Sequence, residues 1–176
     1  MIGELYEEEL TGDVPGDQSM LDRCAGPTLD IGSGPGRLTL ALAERGIPAL
    51  GIDITPRAVG KARSNGALVM LRDVFDRVPG TGRWATVLLA DGNIGIGGDP
   101  VALLRRVGEL LAPDGRALVE LDPPGEPPQL PDDTRAYVGA DQIAELAAAA
   151  GLRSVATWSA GDRWFAALNQ NGSEFP

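Results

Sequence analysis

From residue 27 onward the chain alternates short apolar runs with longer stretches in which Ala and Leu recur at helical spacing. Apolar runs of four or five residues suit strands buried on both faces, and the helical stretches between them suit crossovers, so the order predicts repeated βα units on a parallel sheet. Thr28–Ile31 predicts the first strand, and Arg37–Arg45 the first helix, with Leu38, Leu40, Ala41 and Leu42 toward the sheet and Gly46 as C-cap. Ala49–Ile52 predicts the second strand; Thr55 and Pro56 then read as N-cap and first-turn proline of a helix through Ala62. Ala67–Leu71 predicts a third strand and Trp84–Ala90 a fourth, followed by a glycine-rich loop over Asp91–Gly98 and a helix from Asp99-Pro100 to Leu111. After a turn at Pro113-Asp114-Gly115, Ala117–Leu121 predicts a fifth strand, which stops at Asp122-Pro123-Pro124-Gly125 because proline removes ladder donors. An extended loop to Pro131, a helix over Ala140–Ala150 and strands at Ser154–Trp158 and Arg163–Leu168 complete the pattern.

The expected fold is therefore α/β: a doubly wound, mostly parallel, seven-stranded, Rossmann-like sheet with helices on both faces and an antiparallel C-terminal edge strand. Residues 27–168 form the expected domain. Residues 1–26 are acidic and polar and read as an arm or lid, with a short helix over Asp17–Cys24. Residues 169–176 lack apolar periodicity and are expected to form a disordered tail, in which Gly172-Ser173-Glu174-Phe175 reads as readily as a cloning remnant as native chain.

A length of 176 residues supports one hydrophobic core. The formal charge of −10, with Lys61 as the single lysine and the arginines scattered, argues against sequence-independent nucleic-acid binding. Cys24 is the sole cysteine and histidine is absent, which removes intramolecular disulfides and structural zinc from consideration, and no metal is expected. The acidic N-terminus does not resemble a secretory signal and no apolar stretch reaches the length of a membrane span, so the expected location is cytoplasmic, with no membrane partner.

The chemistry concentrates in Leu29-Asp30-Ile31-Gly32-Ser33-Gly34-Pro35-Gly36, at the predicted strand-to-helix junction. Glycine at 32, 34 and 36 lets the backbone turn sharply and approach a ligand where a Cβ would fill the space. A dinucleotide fingerprint G-x-G-x-x-G starting at Gly32 would need a small residue at position 37, where Arg37 stands. The actual pattern, G-x-G-x-G preceded by Asp30, resembles the first motif of the class I S-adenosylmethionine-dependent methyltransferases, and the resemblance runs from Pro27 to Gly125 and more loosely to Leu168.

That resemblance implies S-adenosylmethionine as cofactor, held by Asp30, Gly32, Ser33, Gly34 and Gly36 of the loop. It implies Asp53 as the acid accepting the ribose hydroxyls, Ile54 beside adenine, and Asp73 and Val74 at the adenine edge, with Asp76 as the alternative acid. Ala90 and Asp91 match the place where the family's chain passes the methionine part of the cofactor, and Asp91 is the candidate catalytic residue. The N-P-P-Y type loop of amino-methylating nucleic-acid enzymes is absent after the fourth strand, and Asp122-Pro123-Pro124-Gly125 follows the fifth. The expected reaction is direct in-line methyl transfer to a small-molecule acceptor, in which orientation is the enzyme's main task. Where a base is needed, Asp91, Asp122, Glu120 and Tyr137 are the candidates in a chain without histidine. Two other readings stand beside this one: an NAD-dependent oxidoreductase using Asp53 for the ribose, and a non-catalytic S-adenosylmethionine-binding module. The sequence leaves the oligomeric state open.

Overall fold

The computed structural model describes residues 14–125 and 136–172. Seven strands form one sheet: β1 (Thr28–Ile31), β2 (Ala49–Asp53), β3 (Val69–Leu71), β4 (Trp84–Leu89), β5 (Leu111–Leu121), β6 (Leu152–Ala160) and β7 (Arg163–Gln170), in the order β3-β2-β1-β4-β5-β7-β6. Among the described residues five α-helices accompany them: α1 (Asp17–Leu21), α2 (Arg37–Glu44), α3 (Pro56–Ser64), α4 (Pro100–Leu110) and α5 (Ile143–Ala149), with a 3-10 segment at Asn93–Gly98. β1 to β5 run parallel, and the order reverses between β1 and β4, which opens a crevice at the carboxyl ends of those two strands.

Elements fall where the hydrophobic pattern put them, with differences of local cause. β5 begins at Leu111, earlier than expected, because Leu111 pairs with Trp84 before the Pro113–Gly115 turn shifts the register to Thr86 with Arg116. The antiparallel strand β7 lies inside, between β5 and β6, so the outermost strand β6 runs in the parallel direction. β7 also continues through Asn169 and Gln170, past the expected Leu168 boundary: Asn169 pairs with both Arg116 and Arg153, and Gln170 Nε2 donates to the Gly108 carbonyl. The loop stretch 126–131 and residues 1–13 lie outside the described residues, as do 173–176. Among the described residues no helix is long and apolar enough to cross a membrane.

Strand alternation divides the core in two. Val87, Leu89, Val119, Ala166 and Leu168 pack with Leu103, Leu104 and Val107 of α4 and Ile143 and Ala147 of α5. Leu88, Leu118, Phe165 and Ala167, on the other face, pack with Leu38 and Leu42 of α2 and with Met20 and Leu21 of α1. Burying a large apolar side chain contributes about 1.5–3 kcal/mol, so Met20 and Leu21 anchor the start of the described chain to the domain.

Asp30 is a polar exception in this core. It is 2% exposed in β1, Thr39 Oγ1 donates to its Oδ2 at 2.9 Å, and burial pushes its pKa up to about 7. A folded-state pKa raised above the unfolded 3.8 means the protonated form is favoured in the native state, so this stability is present below pH 4 and is lost as pH rises through about 7. Asp30→Asn keeps an acceptor for Thr39 without the charge. Relative to the parent chain it should gain on the order of 2–4 kcal/mol at pH 8 and nothing at pH 4, measured by denaturant unfolding at both pH values.

Candidate active site

The glycine-rich loop is folded over the end of β2. Gly32 and Ser33 N–H both donate to the Ile52 carbonyl, at 2.8 and 3.1 Å, and Gly36 N–H donates to the Ser33 carbonyl at 3.0 Å. Gly32, Gly34 and Gly36 have φ of +71°, +54° and +90°, where glycine avoids the strain of a side chain. Their surroundings differ, and this corrects the expectation that all three make room for a ligand. A Cβ on Gly32 would lie 2.7 Å from the Asn93 side chain, and one on Gly36 2.7 Å from Ala67 Cβ, whereas one on Gly34 would have nothing within 4 Å. Gly36 serves the approach of α2 to the α3–β3 turn, and Gly34 alone faces open space.

Asp53, at the end of β2, stands beside that space. Its Oδ2 accepts from Gly34 N–H at 2.9 Å and its Oδ1 from Thr55 N–H at 2.8 Å. A carboxylate oxygen accepts two bonds, so each retains one lone pair, and two donors on a neighbouring ligand can be taken at once. A cavity of about 360 Å³ adjoins it, lined by Gly32, Asp53, Ile54, Asp73, Phe75 and Asn93 among others. Ile54 and Phe75 are 67% and 47% exposed, which leaves apolar side chains without protein cover at the place where a flat apolar ring would find partners. Asp73 Oδ1 accepts from Phe75 N–H at 2.9 Å, an Asx turn that presents the rest of the carboxylate to the cavity rim.

Four expected site residues thus meet in the cavity: Gly32, Asp53, Ile54 and Asp73. Gly34 joins them through its bond to Asp53. The others do not reach the cavity with their side chains. Asp30 lies beneath the loop on Thr39, Val74 and Ala90 are buried in the core, and Ser33 Oγ is buried without a hydrogen-bond partner among the described residues. Asp76 does not line the cavity either; its carbonyl accepts from Arg106. Sequence reading missed Asn93, whose Nδ2 donates to the carbonyls of Ile31 and Gly32 at 2.9 and 3.0 Å and so ties the loop after β4 to the glycine turn. It also missed Phe75. An isolated aromatic beside the acid that follows β3 was the available signal.

Asp91 stands apart from the cavity, in an ionic cluster. It adopts φ +55°, the sole positive φ outside glycine among the described residues, and its N–H donates to Glu120 Oε2 at 2.7 Å. Arg37 Nη2 donates to both Asp91 oxygens at 3.0–3.1 Å, and Arg37 Nε donates to Asp17 at 2.7 Å. Arg163 grips Glu120 with two bonds at 2.8 and 2.9 Å, reaches Asp17 at 2.7 Å and lies 3.7 Å from Asp91. Burial raises the Asp17 pKa, but the hydrogen bonds from Arg37 and Arg163 outweigh it and leave it below the ordinary carboxylate range. The Arg37 guanidinium is turned into this cluster and does not line the cavity.

The remaining candidates for proton transfer are occupied as well. Asp122 Oδ2 accepts from Val138 N–H at 3.0 Å, and the Tyr137 hydroxyl donates to the Pro123 carbonyl at 2.9 Å, with desolvation holding its pKa above the ordinary value. Burial, followed by the charge of Asp30, pushes the Cys24 thiol up to about 12, which leaves it unreactive. The arrangement is therefore built for binding and orientation.

Comparison with known proteins bears on the family and the fold. A family model described as a methyltransferase domain matches residues 24–123, more than half of the chain. A solved S-adenosylmethionine-dependent methyltransferase from Bacteroides fragilis, in complex with S-adenosylhomocysteine, shares the fold at a TM-score of 0.78 and 23% identity over 93% of this chain and 81% of that one. A TehB-like methyltransferase from Corynebacterium glutamicum superposes at 0.74 with 21% identity, covering 97% and 96% of the two chains. The 1,6-didemethyltoxoflavin-N1-methyltransferase of Burkholderia thailandensis, solved with 1,6-didemethyltoxoflavin and S-adenosylhomocysteine, gives 0.68 and 21% over 87% and 74%. A short segment of 44 residues, a quarter of this chain, is 46% identical to a lysine N-methyltransferase of Rattus norvegicus and spans 20% of that protein. The chain belongs to the methyltransferase domain family, and it shares its fold with solved S-adenosylmethionine-dependent methyltransferases.

Proposed function

We propose that the chain transfers the methyl group of S-adenosylmethionine to a small-molecule acceptor by direct in-line displacement. The observation that carries the cofactor placement is the pairing of open space at Gly34 with the half-satisfied Asp53 carboxylate beside the cavity. Asp53 would accept the two ribose hydroxyls, Ile54 and Phe75 would cover the adenine faces, and the free oxygen of Asp73 would accept from the exocyclic amine. Gly32, Ser33 and Gly34 would supply the backbone that passes the sulfur-bearing end, and Asp30, Gly36, Val74 and Ala90 would hold the cradle's shape from beneath.

The bound cofactor supplies an electrophilic sulfonium methyl, so the protein's share is to align donor and acceptor and to keep water out. Asp91 would act by position. Its backbone is pinned by Glu120 and its carboxylate is held between Arg37 and Arg163, which leaves it badly placed to take a proton. A small acceptor is supported by the net charge of −10, which repels phosphate backbones, and by the Burkholderia neighbour, whose bound 1,6-didemethyltoxoflavin is a small molecule.

Asp53→Ala should weaken S-adenosylhomocysteine binding by one to two orders of magnitude in isothermal titration, the loss of two charge-assisted hydrogen bonds, while the parent chain gives no heat with NADH. Unchanged affinity, or NADH binding in its place, would refute the cradle. Asp91→Asn should lower kcat less than tenfold on a methylated small acceptor, because removing a true general base costs about 10²–10⁴. In a radiolabelled methyl-transfer panel, turnover on RNA, DNA or protein with none on small metabolites would refute the acceptor class.

A further inference from the structure

The chain reverses tightly after β4. Asp91 and Gly92 take φ of +55° and +78°, and Asn93 N–H donates to the Ala90 carbonyl at 3.0 Å, the pattern of a type I′ turn. Such a turn ordinarily takes its orientation from two flanking strands. Here β4 enters it and the 3-10 segment at Asn93–Gly98 leaves it, so one flank is missing. The turn delivers Asn93, whose Nδ2 donates to the Ile31 and Gly32 carbonyls and whose side chain fills the space beside Gly32, 2.7 Å from where a Cβ would stand. Gly32 and Asn93 both line the cavity next to Asp53. Close packing leaves no slack between them, so a swing of the turn passes directly into the glycine loop.

A side chain of the neighbouring strand supplies the missing flank. Asp91 N–H donates to Glu120 Oε2 at 2.7 Å, and Arg163 takes both Glu120 oxygens, Nε on Oε1 at 2.8 Å and Nη2 on Oε2 at 2.9 Å. The fork fixes the carboxylate in plane and rotation, which a single bond would leave free. Arg163 is clamped in turn: its Nη1 donates to Asp17 and to the Pro15 carbonyl, and its guanidinium lies 5.2 Å from the centre of the Phe165 ring. Neither Glu120 nor Arg163 lines the cavity. We infer that Arg163 and Glu120 are positioning residues for cofactor binding, acting through the Asp91 amide to hold the turn that seats Asn93 against Gly32. The inference rests on the proposed placement of S-adenosylmethionine at Gly34 and Asp53. Arg37 restrains the same turn through the Asp91 carboxylate, but it also follows the glycine loop directly in the chain, whereas Glu120 reaches that loop by way of the turn.

A double-mutant cycle tests the route. Isothermal titration with S-adenosylhomocysteine of the parent chain, Glu120→Ala, Asn93→Ala and the double variant gives the affinities, and melting curves without ligand report folding. Glu120→Ala should weaken binding about fivefold or more and Asn93→Ala at least as much, while the double variant stays within about twofold of Asn93→Ala, because the brace then has nothing left to seat. A pair that served folding alone would lower the melting temperature and leave the Kd of the folded chain unmoved. If Glu120→Ala melts below the titration temperature, Arg163→Lys takes its place: it keeps the charge beside Asp17 but loses the fork, and the same pattern is expected. A parent chain that binds no S-adenosylhomocysteine overturns the cofactor placement and this inference with it. A parent that binds, with a Kd indifferent to Glu120→Ala and Arg163→Lys or with losses that multiply in the double variant, overturns this inference alone.

Discussion

The hydrogen bond from Gly34 N–H to Asp53 joins two consecutive βα units at the point where the sheet order turns back, and the whole site is arranged around it. It requires a backbone conformation with positive φ, a strand that ends in an acid, and a loop pulled down on that strand. Each requirement is met by a separate local device: glycine at 34, Asp53 closing β2, and the two amide bonds onto the Ile52 carbonyl. Gly51 completes the set, because a Cβ there would lie 2.6 Å from Ser33 Oγ and lift the loop away from β2.

Much of this was legible in the residue order because it depends on local grammar. Apolar runs of strand length, Asp99 and Pro100 opening α4, and glycines at alternate positions after β1 each act over a few residues. Asp99 does accept from Ala102 N–H as an N-cap should, while Thr55 makes no side-chain cap and Asp53 takes its amide instead. What stayed hidden depends on meetings across the chain. Asn93 reaches residues about sixty positions earlier, and Arg163 meets Asp17 and Glu120 across distances that no period in the sequence encodes. The purpose of Gly36 was misjudged for the same reason, since its neighbour Ala67 belongs to another unit.

Arg37 shows how one position can exclude a chemistry and then serve another. Its size at the start of α2 conflicts with the tight helix packing of a dinucleotide fold, and its charge is spent on Asp17 and Asp91. Two arginines facing three carboxylates, most of them partly buried, tie α1 to the ends of β4, β5 and β7, so the start of the described chain is held by charge at one end and by Met20 and Trp158 at the other. Such a cluster tolerates burial because every member is paired.

The outermost strands raise a separate matter, that of solubility. An open sheet exposes two ladders of unpaired amides and carbonyls that another polypeptide could extend. At one margin β3 is three residues long, too short to serve as a template. At the other, β6 runs nine residues, but its register with β7 slips between Ser154 and Ala156, and the local kink around Val155 spoils the straight row of bonding groups that a second chain would need. The irregularity thus works as a guard against edge-to-edge aggregation of an otherwise long and accessible strand.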